Sequence, residues 1–186
     1  MKNKAIFIDR DGVINEICYH HDIGIYSAKN LGEFKLIKGV KEGISEMKKM
    51  GFLVVVISNQ PGVDYGAIKM EDLDKMDQYM MDELGITKVY NCTHHPHHSG
   101  DCDCRKPKQG LLLKAAEELQ IDISQSYMVG DNATDIQMGK NCKKTVYVGK
   151  TQADILSYFR EINVHPDVIV KNLIEAAKKI NELEHQ

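Results

Sequence analysis

Asp9 and Asp11 stand two residues apart directly after an apolar run, and Asp131 and Asp135 follow another. Like charges at such spacing repel unless a cation lies between them or one carries a proton. The set therefore asks for a metal. Hard carboxylate oxygens in this number suit Mg²⁺, which keeps several waters and is held by one or two carboxylates plus a phosphate of its substrate. Ser58 and Lys106, the latter within Arg105-Lys106-Pro107, could bind the remaining oxygens of such a phosphate.

A second constellation is softer. Cys92-x-His94 is followed, after seven residues, by Cys102-x-Cys104. Three thiolates and one imidazole make a closed tetrahedral Zn²⁺ set with no position left for catalysis, so a structural zinc is expected at Cys92, His94, Cys102 and Cys104. His95, His97 and His98 lie in the same loop as rivals to His94. Because Arg105 and Lys106 directly follow the last thiolate, a zinc-fixed loop would aim both cations at the carboxylates.

These residues need elements to position them. Ala5 to Ile8 and Leu53 to Ile57 are short continuous apolar runs, as strands buried on both faces should be. Further strands are expected at Val89 to Asn91, Tyr127 to Val129, Val146 to Val148 and Val168 to Val170. Helical stripes fall between them: Val40, Ile44 and Met47; Leu73, Met76, Met80 and Leu84; Leu112, Ala115, Ala116 and Leu119; Leu173, Ala177 and Ile180. Such alternation predicts an α/β fold with a parallel sheet and helices on both faces. Ligands of open parallel sheets gather outside the carboxyl ends of the strands. The acidic pairs, Ser58-Asn59-Gln60 and Gly130-Asp131-Asn132 all fall at such ends. Asp, Asn, Ser and Gly are also ordinary turn residues, but three strand ends so furnished make that reading the weaker one.

Composition narrows the classes. With 186 residues, 42% hydrophobic and 27% charged, 4 prolines and 14 glycines, the chain is neither low-complexity nor disordered. One domain spanning 1–186 is expected. A net charge of -3, from 24 basic and 27 acidic residues, leaves no basic face for nucleic acid. No apolar run is long enough to cross a membrane, and Asp9 arrives before a secretory stretch could develop, so a cytoplasmic monomer is expected. Cys18 and Cys142 have no partner in a spacing motif, and Arg10 is assigned no chemistry.

Asp9-x-Asp11-Gly12, Ser58-Asn59, Lys106 and Gly130-Asp131-x-x-x-Asp135 resemble, in order and spacing, the four motifs of the haloacid dehalogenase superfamily of phosphohydrolases. The resemblance implies a Rossmann-like sheet in which Asp9 attacks phosphorus and Asp11 protonates the leaving oxygen, then activates water. It implies that Ser58 and Lys106 steady the phosphoryl group. Mg²⁺ would be held by the Asp9 carboxylate, the Asp11 backbone carbonyl and Asp131, with Asp135 in support. With the Cys/His loop and Asp9-Arg10-Asp11-Gly12-Val13-Ile14-Asn15, the chain is similar to the capless branch that contains the heptose-bisphosphate and histidinol-phosphate phosphatases. A small phosphorylated sugar is the implied partner, contacted by Asn59, Gln60, Arg105 and Asn132. Histidinol phosphate is the alternative substrate, and a non-enzymatic phospho-acceptor is a third reading. The chain departs from the heptose pattern at Tyr65-Gly66, where an Arg-Gly pair is usual, and at Asn132, where lysine is common.

Overall fold

Runs of Ile and Val too short to form helices make the strands of one parallel sheet. The structure is a computed structural model and describes residues 2–149 and 153–185. In chain order come β1 (Ala5–Ile8), β2 (Cys18–His20), β3 (Gly24–Tyr26), α1 (Val40–Lys49), β4 (Leu53–Asn59), α2 (Met70–Leu84) and β5 (Lys88–Cys92). Then follow α3 (Gly110–Glu118), β6 (Tyr127–Gly130), α4 (Ala133–Met138), β7 (Lys144–Val148), α5 (Ala153–Glu161), β8 (Val168–Val170) and α6 (Leu173–Glu184). Six strands pair in the order β5-β4-β1-β6-β7-β8, every pair parallel.

The two-residue period of a strand divides the core. Ile6, Ile8, Val54, Val56, Tyr127 and Val129 pack on one face with α1, α2 and α6. Ala5, Phe7, Val55, Ile57 and Met128 pack on the other with α3. Val54, Val55, Val56 and Ile57 are all fully buried, each side chain contributing about 1.5–3 kcal/mol. This burial on both faces is why the strand carries no polar residue until Ser58.

From β1 the chain crosses to β4 on one side and later returns to β6 on the other. Neighbouring connections therefore leave β1 in opposite directions, which opens a crevice at its carboxyl end. Between β1 and α1 the described residues add only the antiparallel hairpin β2–β3, not a cap domain. No helix among the described residues is long and apolar enough to cross a membrane.

Candidate active site

Asp9 is the first residue beyond β1, its backbone N–H still bonded to the Val129 carbonyl of β6. Lys106 Nζ lies 2.6 Å from Asp9 Oδ1 and 2.7 Å from Asp135 Oδ1, and donates to the Ile57 carbonyl at 3.0 Å. Asp9, Asp131 and Asp135 each offer an oxygen within 4.8 Å of the others. Three carboxylates thus face one ammonium. Burial and the Asp135 charge push Asp9 well above the usual carboxylate range despite Lys106, and the same two causes raise Asp131 to about 7. The two aspartates push Lys106 upward against its burial, so it stays charged. A hard divalent cation fits this donor set, since it would restore both carboxylates to their ionised form.

The backbone makes way for the cluster at two glycines. Gly12 has φ +85°, and a Cβ there would lie 2.0 Å from Asp131 Oδ2. A Cβ on Gly130 would come within 2.3 Å of the Asp135 Cβ.

Asp11 faces a different set of neighbours. Arg10 Nη2 donates to both its oxygens at 3.2 and 3.1 Å, Asn15 Nδ2 to Oδ1 at 2.9 Å and Gln60 Nε2 to Oδ2 at 2.6 Å. Burial would raise this carboxyl, but the Arg10 charge and the two amides outweigh it and hold Asp11 below its ordinary value. Two carboxylates two residues apart are therefore driven in opposite directions. Gln60 Nε2 also donates to Ser58 Oγ at 2.8 Å, leaving the Ser58 hydroxyl proton free to point elsewhere.

Asp9, Asp11, Ser58, Asn59, Lys106 and Asp131 open on one cavity of about 290 Å³, walled by Ile17, Ile25 and Tyr26 around the hairpin. A larger depression between α1 and α6 has no such convergence of buried charge, and convergence rather than size selects the site.

Beside it, Cys92 leaves the end of β5 and meets Cys104 at 3.0 Å and Cys102 at 3.6 Å, sulfur to sulfur. His94 Nδ1 lies 3.2 Å from Cys104 Sγ and 3.7 Å from Cys92 Sγ. These separations are too long for a disulfide, whose sulfurs stand about 2.05 Å apart. They approach the edge of about 3.8 Å that four ligands at about 2.3 Å from one ion would span. The donor set fits Zn²⁺.

A family model described as a haloacid dehalogenase-like hydrolase matches residues 15–143. The chain belongs to that family. The D-glycero-beta-D-manno-heptose-1,7-bisphosphate 7-phosphatase of Haemophilus influenzae is 39% identical over 151 residues, covering 76% of this chain and 78% of the relative. The Escherichia coli K12 protein of the same name is 40% identical over 144 residues, 72% of this chain and 71% of the relative. A D,D-heptose 1,7-bisphosphate phosphatase from B. bronchiseptica, solved with magnesium and phosphate, superimposes with a TM-score of 0.76 at 23% identity, over 98% of this chain and 99% of that one. That structural likeness bears on the fold.

Within this haloacid dehalogenase-like hydrolase, Asp9, Asp11, Ser58, Lys106 and Asp131 come together as their spacing suggests. The residues expected to touch substrate divide. Gln60 has no exposed surface and lies behind Asp11 and Ser58, so direct substrate contact gives way to a supporting place. Asn59 lines the cavity, but its amide is engaged on both sides by the Lys106 backbone, accepting from the N–H at 3.0 Å and donating to the carbonyl at 3.3 Å. Arg105 donates to the His94 carbonyl at 3.3 Å, tying the Cys/His loop together outside the cavity lining. Asn132 borders the cavity while capping α4, in a reciprocal box with Asp135. Arg10, assigned no chemistry, is fully buried and bonded to Asp11. Its place just before a turn gives no sign of that burial; its even parity with Ile6 and Ile8, which points it to the α2 side, does.

Proposed function

We propose that this chain is a Mg²⁺-dependent phosphomonoesterase that removes the 7-phosphate of D-glycero-D-manno-heptose 1,7-bisphosphate in the cytoplasm, acting as a single-domain monomer over residues 1–186. The observation that carries the reading is Asp9 held at the end of β1 against Lys106 and beside Asp131, with Asp11 and Ser58 on the same cavity. The names of the curated relatives support the choice of sugar.

In this mechanism Asp9 is the nucleophile. A phosphate dianion repels an attacking carboxylate; the Asp9 and Asp131 carboxylates and the Asp11 backbone carbonyl would hold Mg²⁺, which would offset that charge and keep Asp9 ionised. Lys106 and the Ser58 hydroxyl bind the non-bridging oxygens, and Asp135 holds Lys106 in place from behind. The bound phosphate dianion opposes the Arg10 charge and lets Asp11 carry a proton; Asp9 Oδ bonds to phosphorus as the sugar oxygen leaves, and Asp11 gives that oxygen its proton. Asp11, now a carboxylate, then takes a proton from the water that hydrolyses the aspartyl-phosphate. The Cys92, His94, Cys102 and Cys104 site would hold Zn²⁺, which would fix the loop that delivers Lys106.

Phosphate release from heptose 1,7-bisphosphate with Mg²⁺, measured for the wild type and Asp9→Asn, tests this. The variant should lose at least about 10³-fold in kcat. Undiminished turnover would end the assignment of Asp9, and a higher kcat/KM on histidinol phosphate would replace the sugar.

A further inference from the structure

Arg10 is among the largest fully buried side chains of the molecule. A buried guanidinium is costly unless its charge and its protons are satisfied. Its Nη2 gives both its hydrogen bonds to Asp11, at 3.2 and 3.1 Å, while Nε and Nη1 have no hydrogen-bond partner among the described residues. Its other neighbours are the Phe34 ring, 5.7 Å away, and the half-buried Asp77 carboxylate on α2, whose charge the guanidinium favours. The hydrogen bonds this arginine makes are thus spent on one carboxylate at the cavity.

Asp11 is correspondingly fixed. Oδ1 accepts from Arg10 and Asn15, and Oδ2 accepts from Arg10 and Gln60. Three nitrogens hold these two oxygens, Arg10 Nη2 being shared between them, and the carboxyl borders the cavity, where one of its about four acceptor directions is left to carry a proton. Asn15 and Gln60 are themselves fully buried, so neither amide can swing into solvent.

We propose that Arg10 is a positioning residue for proton transfer: its guanidinium, with the Asn15 and Gln60 amides, holds the Asp11 carboxylate in the orientation from which it serves the leaving oxygen. The inference rests on the phosphomonoesterase reading above. As the P–O bond breaks, its electron pair stays on the sugar oxygen, which takes the proton from Asp11; the carboxylate left behind is received by the Arg10, Asn15 and Gln60 donors. The arginine touches neither substrate nor phosphorus. Its loss should therefore matter in proportion to how much the leaving group needs a proton.

That proportion can be measured on the full chain with Mg²⁺. The kcat/KM values of Arg10→Met are compared on the sugar bisphosphate, whose alkoxide needs the proton, and on p-nitrophenyl phosphate, whose phenolate does not. The expected result is a fall of about 100-fold on the sugar and no more than about 5-fold on the aryl ester. Equal losses on both esters, or no loss on either, overturn the proposal. If Arg10→Met fails to melt cooperatively, Asn15→Leu carries the same comparison, with a smaller loss confined to the sugar ester expected and a uniform one fatal. Phosphate release that persists in Asp9→Asn overturns the reading of the whole site and the role of Arg10 with it, whereas uniform loss with Asp9→Asn inactive removes Arg10 alone.

Discussion

At Gly12 the backbone passes so close to Asp131 that one methyl group does not fit. The residue sits at φ +85°, where an L side chain is strained whatever the space, and the added Cβ would overlap Asp131 Oδ2 at 2.0 Å. Gly12→Ala should displace a proposed Mg²⁺ ligand without removing it. The expected outcome is a Mg²⁺ requirement about 10- to 100-fold higher with the Asp9 nucleophile intact, read from activity against Mg²⁺ concentration. An unchanged half-saturating Mg²⁺ would mean that Asp131 does not hold the ion. The acidic residues themselves are legible in the sequence because carboxylates crowded at the ends of buried strands repel one another until a cation joins them. Arg10 is less so: a lone arginine next to a carboxylate looks like a solvated surface residue, and only its even parity with Ile6 and Ile8 signals the burial that the packing of Phe34 and α2 completes.

Elements with a buried face write themselves into the sequence, and elements without one do not. β1, β4 and β6 lie between helices, so their residues are apolar on both sides, and the runs from Ala5, Leu53 and Tyr127 are readable, β4 extending two residues further to Asn59. The hairpin β2–β3 exposes Tyr19 and Ile25, at 73% and 75%, and with no core to face it carries no period-two pattern. The short α4 is announced only by Asn132 and Asp135 in capping-box positions. α5 is marked by little more than Ile155 and Phe159 one turn apart. The Cys/His loop is the opposite case, since ligand spacing outlines it without any core. Lys106 enters the site two residues after Cys104 and is gripped from the far side by Asn59. Cys102→Ser should therefore lower bound zinc below one per chain, reduce the melting temperature and cut kcat several-fold as Lys106 loses its fixed approach. Elemental analysis beside the kinetics checks this, with Cys142→Ser, whose thiol lies outside the cluster, as the control. Full zinc occupancy in Cys102→Ser would remove the four-ligand assignment.

Across the whole molecule, the end of the chain closes on its beginning through one carboxylate. Glu184, the last residue of α6, pairs with Lys4 just before β1 at 2.5 Å, with Lys143 before β7 at 2.6 Å, and accepts from the Tyr127 hydroxyl of β6 at 2.8 Å. Partial burial alone would raise this carboxyl, but the hydrogen bonds from Lys143, Lys4 and Tyr127 outweigh it and hold it down to about 2. A carboxyl depressed by folding binds its proton more readily in the unfolded chain, so its contribution is complete above the unfolded value near 4.5 and is lost as pH falls toward 2. Lys4 and Lys143 remain 41% and 34% exposed, and solvent screening reduces the full linkage to about 1 kcal/mol. Glu184→Gln should thus unfold at lower urea than the wild type at pH 7, with a melting temperature about 2–4 °C lower. The gap between the two proteins should stay constant from pH 7 to about 5 and close as pH falls toward 3. Stability curves that remain parallel down to pH 3 would show that Glu184 is anchored by packing of α6 and not by its charge.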